Sequence, residues 1–337
     1  MLPASGGSRR SEDGRVSSLD EQIAKAANIL RNGGLVALPT ETVYGLGANA
    51  EDPVAVRRVF EVKRRPPTHP LIIHLGNPDQ LSGWADRIPG AAHVLAESFW
   101  AGPLTLVLRR SVRVPDETIG GGPTVALRVP DHPVTLAVLN DFGGGIAAPS
   151  ANPFKGVSPT SADHVRAGLG DAVDFVLDGG PCTVGVESTI VQLVDDAPTI
   201  LRPGGVTKED LEAVLGSKID VESDSAIRVP GQHPSHYAPH ARVRLARPEH
   251  LINEAETAHA CGRRVGVLVP PPLHDVPITA SVVVLVPAST TEYARQLYGL
   301  LRRLDEQGCE LIVASLPEPD GLGLAIANRL SRAAGPR

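Results

Sequence analysis

Cysteine is scarce in this chain of 337 residues: Cys182, Cys261 and Cys309 are far apart and odd in number. That argues against a disulfide framework and against a cysteine-built metal knot, and points to a reducing compartment such as the cytoplasm. Long apolar runs are missing as well. The longest, Ser281 to Ala288, falls far short of the roughly 20 residues of a membrane-spanning helix and suits a buried strand. Residues 1–16 are rich in Ser, Gly and Arg without the apolar core of a secretory signal, and read as a disordered tail. There is no excess of positive charge: the formal balance is −6, so a polyanion would have to meet a local basic patch. A Walker A loop, a dinucleotide fingerprint, a GxSxG elbow and an HExxH metal motif are all absent.

What is present is enough apolar residue, 42%, for more than one core, and the length favours two domains. A first helix is signalled by Ser18 with Glu21, by Leu19, Ile23, Ala26, Ala27 and Leu30 on one face, and by the stop at Gly33-Gly34. A second starts at Asp52-Pro53 and ends before Pro66-Pro67, which puts Lys63, Arg64 and Arg65 in its last turn. Short strands follow around Leu71, Leu104, Val125, Ile146, Phe175 and Ser188, and a helix capped by Thr207 ends at Gly216. From Ser217 to Ala241 periodicity lapses into Pro, Gly and three histidines, which reads as a linker. Beyond it, alternating strands and helices to Ala333 predict a small α/β domain with a largely parallel sheet.

Several segments carry polar chemistry at strand ends, where α/β sheets bind ligands. LPTETVYGLG leaves a strand and enters a loop with Thr40, Glu41, Thr42 and Tyr44. The cations Lys63 to Arg65 suit phosphate oxygens, although a helix C-terminus favours cations for stability alone. His69 and His74 follow, the latter inside a strand, where a lone histidine is more often a core group. Arg128 interrupts an apolar strand and needs an anionic partner, either a substrate carboxylate or Asp131 or a nearby Glu. APSANPFKGVSPT gathers Ser150, Asn152, Ser158 and Thr160 before a helix, a cradle for phosphate or ribose. VESTIV and ILRPGG add Ser188 and Arg202.

Taken in order, LPTETVYGLG, KxR with PLIIH, WAGPLTLVL, ALRVPDHP, APSANPFKGVSPT, ESTIV and ILRPGG resemble the YrdC-type threonylcarbamoyl-AMP synthase family. The HYAP element of the linker and the tail extend the resemblance to the longer, two-domain branch. The resemblance implies an open twisted α/β sheet domain over residues 17–216, a linker or lid over 217–241 and a Rossmann-like α/β domain over 242–337. It implies that L-threonine, bicarbonate and ATP become threonylcarbamoyl-AMP and pyrophosphate, for the machinery that modifies tRNA with threonylcarbamoyladenosine. By motif position, Thr40, His74, Arg128, Ala148 and Ser188 resemble threonine-binding residues. Lys63, Arg65, His69, Thr124, Ser150, Asn152, Ser158, Arg202 and Tyr237 resemble ATP-binding ones, with Lys63, Arg65, Ser150 and Asn152 nearest the chemistry. Mg²⁺ is expected to travel on the ATP phosphates rather than in a protein cage. Two positions depart from the family pattern: His69 stands where Asn is usual, and Lys155 where Gly often follows the SAN loop. Two other readings use the same fold, a non-catalytic double-stranded RNA-binding module and an enzyme forming a carbamoyl adenylate from carbamoyl phosphate.

Overall fold

The computed structural model describes residues 18–194, 197–222, 227–231 and 236–336; the expected N-terminal tail lies outside them. The first helix, Leu19–Arg31, carries the full capping box: Ser18 Oγ accepts from the Glu21 amide and the Glu21 carboxylate accepts from the Ser18 amide. The second, Pro53–Lys63, is capped by Asp52. It ends one residue into the basic cluster, because Arg64 turns left-handed at φ 52°. The three cations are therefore split: Lys63 closes the helix, Arg64 caps it and Arg65 lies beyond. Consecutive helical residues point 100° apart, but a left-handed residue redirects the chain and sends Arg65 inward while Arg64 faces out.

Among the described residues eleven strands form one large mixed sheet, ten of them ordered from Asp220–Val221 through Thr199–Arg202, Thr189–Gln192, Leu104–Arg110, Thr124–Arg128, Ile72–His74, Ile146–Ala147, Gly45–Asn49 and Val36–Leu38 to Phe175–Val176, and the eleventh, Ala85–Asp86, paired off Leu104–Arg110. The loop through Tyr44 leads into a strand, Gly45–Asn49, whose glycines let it lie close between two neighbours; a Cβ on Gly45 would stand 3.1 Å from that of Ala148. Arg202 ends a strand rather than occupying the turn after it. Asp220–Val221, inside the expected linker, adds an edge strand parallel to Thr199–Arg202.

Side chains alternate across the sheet with a period of two. Ile73, Val125 and Leu127 face the main core with Leu104, Leu106 and Leu108. The alternate residues, Ile72, Val107, Ala126 and Ile190, form a second apolar floor under Val229 of the linker. His74, Arg128 and Ser188 stand on that second side, so the pleat alone gathers three of the expected site residues on one face.

The C-terminal sheet is parallel throughout, ordered Arg242–Leu245, Leu311–Ala314, Val265–Val269, Val282–Leu285. Its buried strands read VGVLV and LIVA, as expected for a sheet covered on both faces. The Leu251–Ala260 helix covers one face, and Thr290–Glu306 with Leu322–Ala333 covers the other. Tyr293, Leu297, Leu300, Leu301 and Leu304 make the apolar stripe of Thr290–Glu306. The same cluster takes in Val43, Val157 and Val186 from loops of the first unit, so the C-terminal core extends into its neighbour. Among the described residues no helix is long and apolar enough to cross a membrane.

Candidate active site

His74 and Arg128 are register partners on adjacent parallel strands, and a cavity opens beside them. Arg128 is 3% exposed; its Nε donates to the Gly102 carbonyl at 3.1 Å, its Nη1 to Thr42 Oγ1 at 2.9 Å, and its Nη2 lies 2.5 Å from Glu41 Oε1. Glu41 is thus the anionic partner that a buried arginine requires. The charges touch, yet neither Glu41 oxygen nor Arg128 Nη2 has an aligned hydrogen bond, so the guanidinium keeps a donor for a ligand. Burial and then Arg128 press the His74 imidazole down to about 3, which makes it neutral, with Nδ1 unpartnered. Thr40 Oγ1 accepts from the Thr42 and Val43 amides, both at 3.2 Å, and donates to the Val43 carbonyl at 2.6 Å, so this hydroxyl shapes its own loop at the cavity wall.

The opposite wall is the loop through Ala148, Pro149 and Ser150. It is stitched to the Gly45 strand by Leu46 N to Pro149 O at 2.7 Å and Ala151 N to Tyr44 O at 2.8 Å. Lys63 braces this loop from behind, its ammonium donating to the carbonyls of Ser150 and, at 2.6 Å, of Asn152. Asn152 Nδ2 in turn holds Pro153 and Gly156 carbonyls, both at 2.9 Å. Burial, then the neighbouring Arg65, takes Lys63 well below the usual ammonium range. Neither Lys63 nor Asn152 lines the cavity. Lys155 adopts φ 70°, a left-handed conformation that costs a non-glycine residue about 1 kcal/mol. Its carbonyl accepts from the Ala238 amide at 2.9 Å, tying loop to linker.

Arg65 does line the cavity; its Nη2 donates to Pro70 O at 2.7 Å while Nε has no partner. Burial lowers it to about 10. Ser188 Oγ meets Thr105 Oγ1 at 2.8 Å, and Arg202 Nη2 donates to Ser188 O at 2.8 Å and Oγ at 3.1 Å. Ser158 is turned away toward Glu187 Oε1 at 2.6 Å. Thr124 begins the Arg128 strand at its other end and stands apart from the cavity wall. The linker closes the roof: Tyr237, buried and at φ 60°, and His236 both face the space. About 50 Å³ remains inside. A second cavity of about 190 Å³ adjoins it, sharing Arg65, Gly231 and His236 and adding His69, Phe154 and Arg228.

The arrangement is a cavity lined by three arginines, Arg65, Arg128 and Arg202, against one carboxylate, Glu187, and built on the ends of sheet strands. The model of a family covering the Sua5, YciO and YrdC proteins, described as telomere recombination, matches residues 28–204, and that of the threonylcarbamoyl-AMP synthase C-terminal domain matches 206–335. The chain belongs to the Sua5/YciO/YrdC family. A threonylcarbamoyl-AMP synthase of Bacillus subtilis is 42% identical over 96% of this chain and 95% of its own length. One of Pyrococcus abyssi is 41% identical over 94% and 95%. The crystal structure of P. abyssi Sua5 complexed with L-threonine superposes with a TM-score of 0.88, covering 95% of this chain and 96% of that one at 40% identity. Glu187, Arg228 and His236, which motif position gave no role, also line these cavities, and Glu41 and Thr42, named only as loop residues, contact Arg128. Glu41 and Glu187 carry a usable signal, a lone carboxylate in an otherwise uncharged segment between apolar strands, which calls for a partner if buried.

Proposed function

We propose that the chain is an L-threonylcarbamoyladenylate synthase, a nucleotidyltransferase. The observation that carries this reading is Arg128: a buried guanidinium with an unaligned donor, standing beside a polar wall and joined by two further arginines, as a site for an amino-acid carboxylate and a nucleotide requires. The names of the full-length relatives support the same reading. Arg128 binds the threonine carboxylate, with His74, the Ala148 backbone, Thr40 and Ser188 around the rest of the amino acid. Arg65, Arg202, His69, Ser150 and Tyr237 face the nucleotide, while Lys63, Asn152 and Ser158 support their neighbours. Their contacts favour that bracing role over direct ligation.

The threonine amine adds to carbon dioxide and loses a proton, or condenses with bicarbonate and releases water, to give a carbamate. A carbamate oxygen then attacks the α-phosphorus of ATP as the bond to pyrophosphate breaks, and the leaving group takes its electron pair. Catalysis rests on holding the reactants in line and on cations aimed at the charge that develops. Burial of Arg65, Arg128 and Arg202 raises the worth of each, because little water screens them. It also favours a small-molecule site over a double-stranded RNA surface, which needs exposed cations. Among the described residues no group of three or more His, Cys, Asp or Glu is arranged to hold a metal ion, and Glu41 and Glu187 are each paired with arginine. A Mg²⁺ ion would therefore come with the ATP phosphates, and no step is assigned to it. The product would feed a tRNA-modifying transferase. Three free thiols support a reducing compartment, the cytoplasm.

Pyrophosphate release from ATP, with mass detection of the adenylate, tests the reaction. Release is expected to fall to background when either threonine or bicarbonate is omitted; release indifferent to both omissions would sink the reading, and dependence on carbamoyl phosphate would replace it. A second expectation concerns the linker. Tyr237→Ala opens the roof to water and is expected to lower turnover about tenfold or more. Unchanged turnover together with unchanged nucleotide affinity would remove the linker from the site.

A further inference from the structure

Glu187 lines the cavity, yet its carboxylate is held from the other side by the C-terminal unit. Arg329 Nε and the Tyr298 hydroxyl each donate to Oε2 at 2.7 Å, and Ser158 donates to Oε1 at 2.6 Å. Arg329 has no exposed side-chain surface. Its Nη1 also donates to the Pro203 carbonyl at 2.8 Å, and its guanidinium lies 5.0 Å from the Tyr237 ring. Tyr237 stacks on Tyr298 with centroids 5.9 Å apart. Burial alone would raise the Glu187 carboxyl, but Arg329 and Arg202 outweigh it and hold it at about 2. The other charged or titratable groups facing this carboxylate are Tyr237, Tyr298, His236 and Cys182.

We propose that Glu187, Tyr298 and Arg329 are positioning residues of the adenylation site, through which the C-terminal unit fixes Ser158, the backbone entering Ser188 and the ring of Tyr237. The C-terminal unit is then a working part of the site rather than an appended module. Three contacts converge on this from two helices: Tyr298 and Arg295 from Thr290–Glu306, the latter lying against the chain at Gly185 where a Cβ is absent, and Arg329 from Leu322–Ala333. Glu187 is the hub because one oxygen reaches Ser158 on the side assigned to the nucleotide, while the next residue is Ser188 on the side assigned to threonine. The inference rests on the adenylate synthase reading above.

The test uses the full-length wild type with Glu187→Gln, Arg329→Met and the double variant, reading kcat and KM for threonine and for ATP from pyrophosphate release. Each single change strands a buried charge and is expected to lower kcat/KM about tenfold or more. The double variant strands neither, and should recover at least about threefold over the worse single variant. If the charge variants do not fold, Tyr298→Phe, which removes one hydroxyl, is expected to lose about threefold in kcat/KM with circular dichroism unchanged. Single variants at the wild-type value, a double variant no better than the worse single one, or an unaffected Tyr298→Phe would overturn the positioning role. A wild type whose pyrophosphate release ignores threonine and bicarbonate would instead bring down the reading beneath it.

Discussion

Arg128→Met is expected to lower kcat/KM for threonine by about a hundredfold or more, because the carboxylate loses its charged donor in a site where water cannot replace it. The same change should cost about 3–5 kcal/mol of stability, since it leaves Glu41 buried without its partner. The two effects separate in Arg128→Met with Glu41→Gln. That pair carries no unpaired charge and should regain most of the lost stability in a urea titration, while threonine turnover stays low. A double variant that regained turnover as well would show that Arg128 serves the fold and not the amino acid.

Gly204→Ala should have an effect of similar size by a different route. Gly204 has an ordinary backbone conformation, but a Cβ there would run into the backbone of Glu187, Ser188 and Thr189. Backbone atoms leading into the Thr189–Gln192 strand cannot move aside as a flexible side chain does, so the expected loss is about 3 kcal/mol or more. Ser188 would shift with its strand, and synthesis would fall along with the denaturation midpoint. Gly216→Ala is the comparison: φ is 66° but no atom lies within 4 Å of the added carbon, and the left-handed conformation alone costs about 1 kcal/mol. Equal losses at the two glycines would mean that close approach at Gly204 contributes nothing.

Local signals reached far into this molecule. Ser18 with Glu21, Asp52-Pro53 and Thr207 each mark a helix start that the structure contains, because a cap acts over three residues and is written within them. The C-terminal strands at Val265–Val269 and Leu311–Ala314 were legible for a similar reason, as short apolar runs flanked by helical periodicity. The family resemblance, built on seven ordered segments, brought Arg128, Arg65, Ser150, Ser188 and Arg202 toward one place, and all five line the cavity. Local reading failed where one residue redirects the chain. Nothing in Lys-Arg-Arg announces that Arg64 turns left-handed, and that turn decides which cation faces inward. It failed again across distance: Arg329 follows Glu187 by 142 positions, and a helix-borne arginine among apolar neighbours does not say which carboxylate it meets.

The shared apolar cluster has a thermodynamic side. Val43, Val157 and Val186 pack in the same core as Tyr237, Leu297 and Leu301, so the wall of the cavity and the C-terminal unit cannot loosen independently. A ligand that binds the folded cavity stabilises everything whose order the cavity depends on, by an amount that grows with the logarithm of its concentration over its dissociation constant. Saturating threonine and ATP should therefore raise the unfolding midpoint of the C-terminal helices together with that of the first unit, although those helices lie outside the cavity wall.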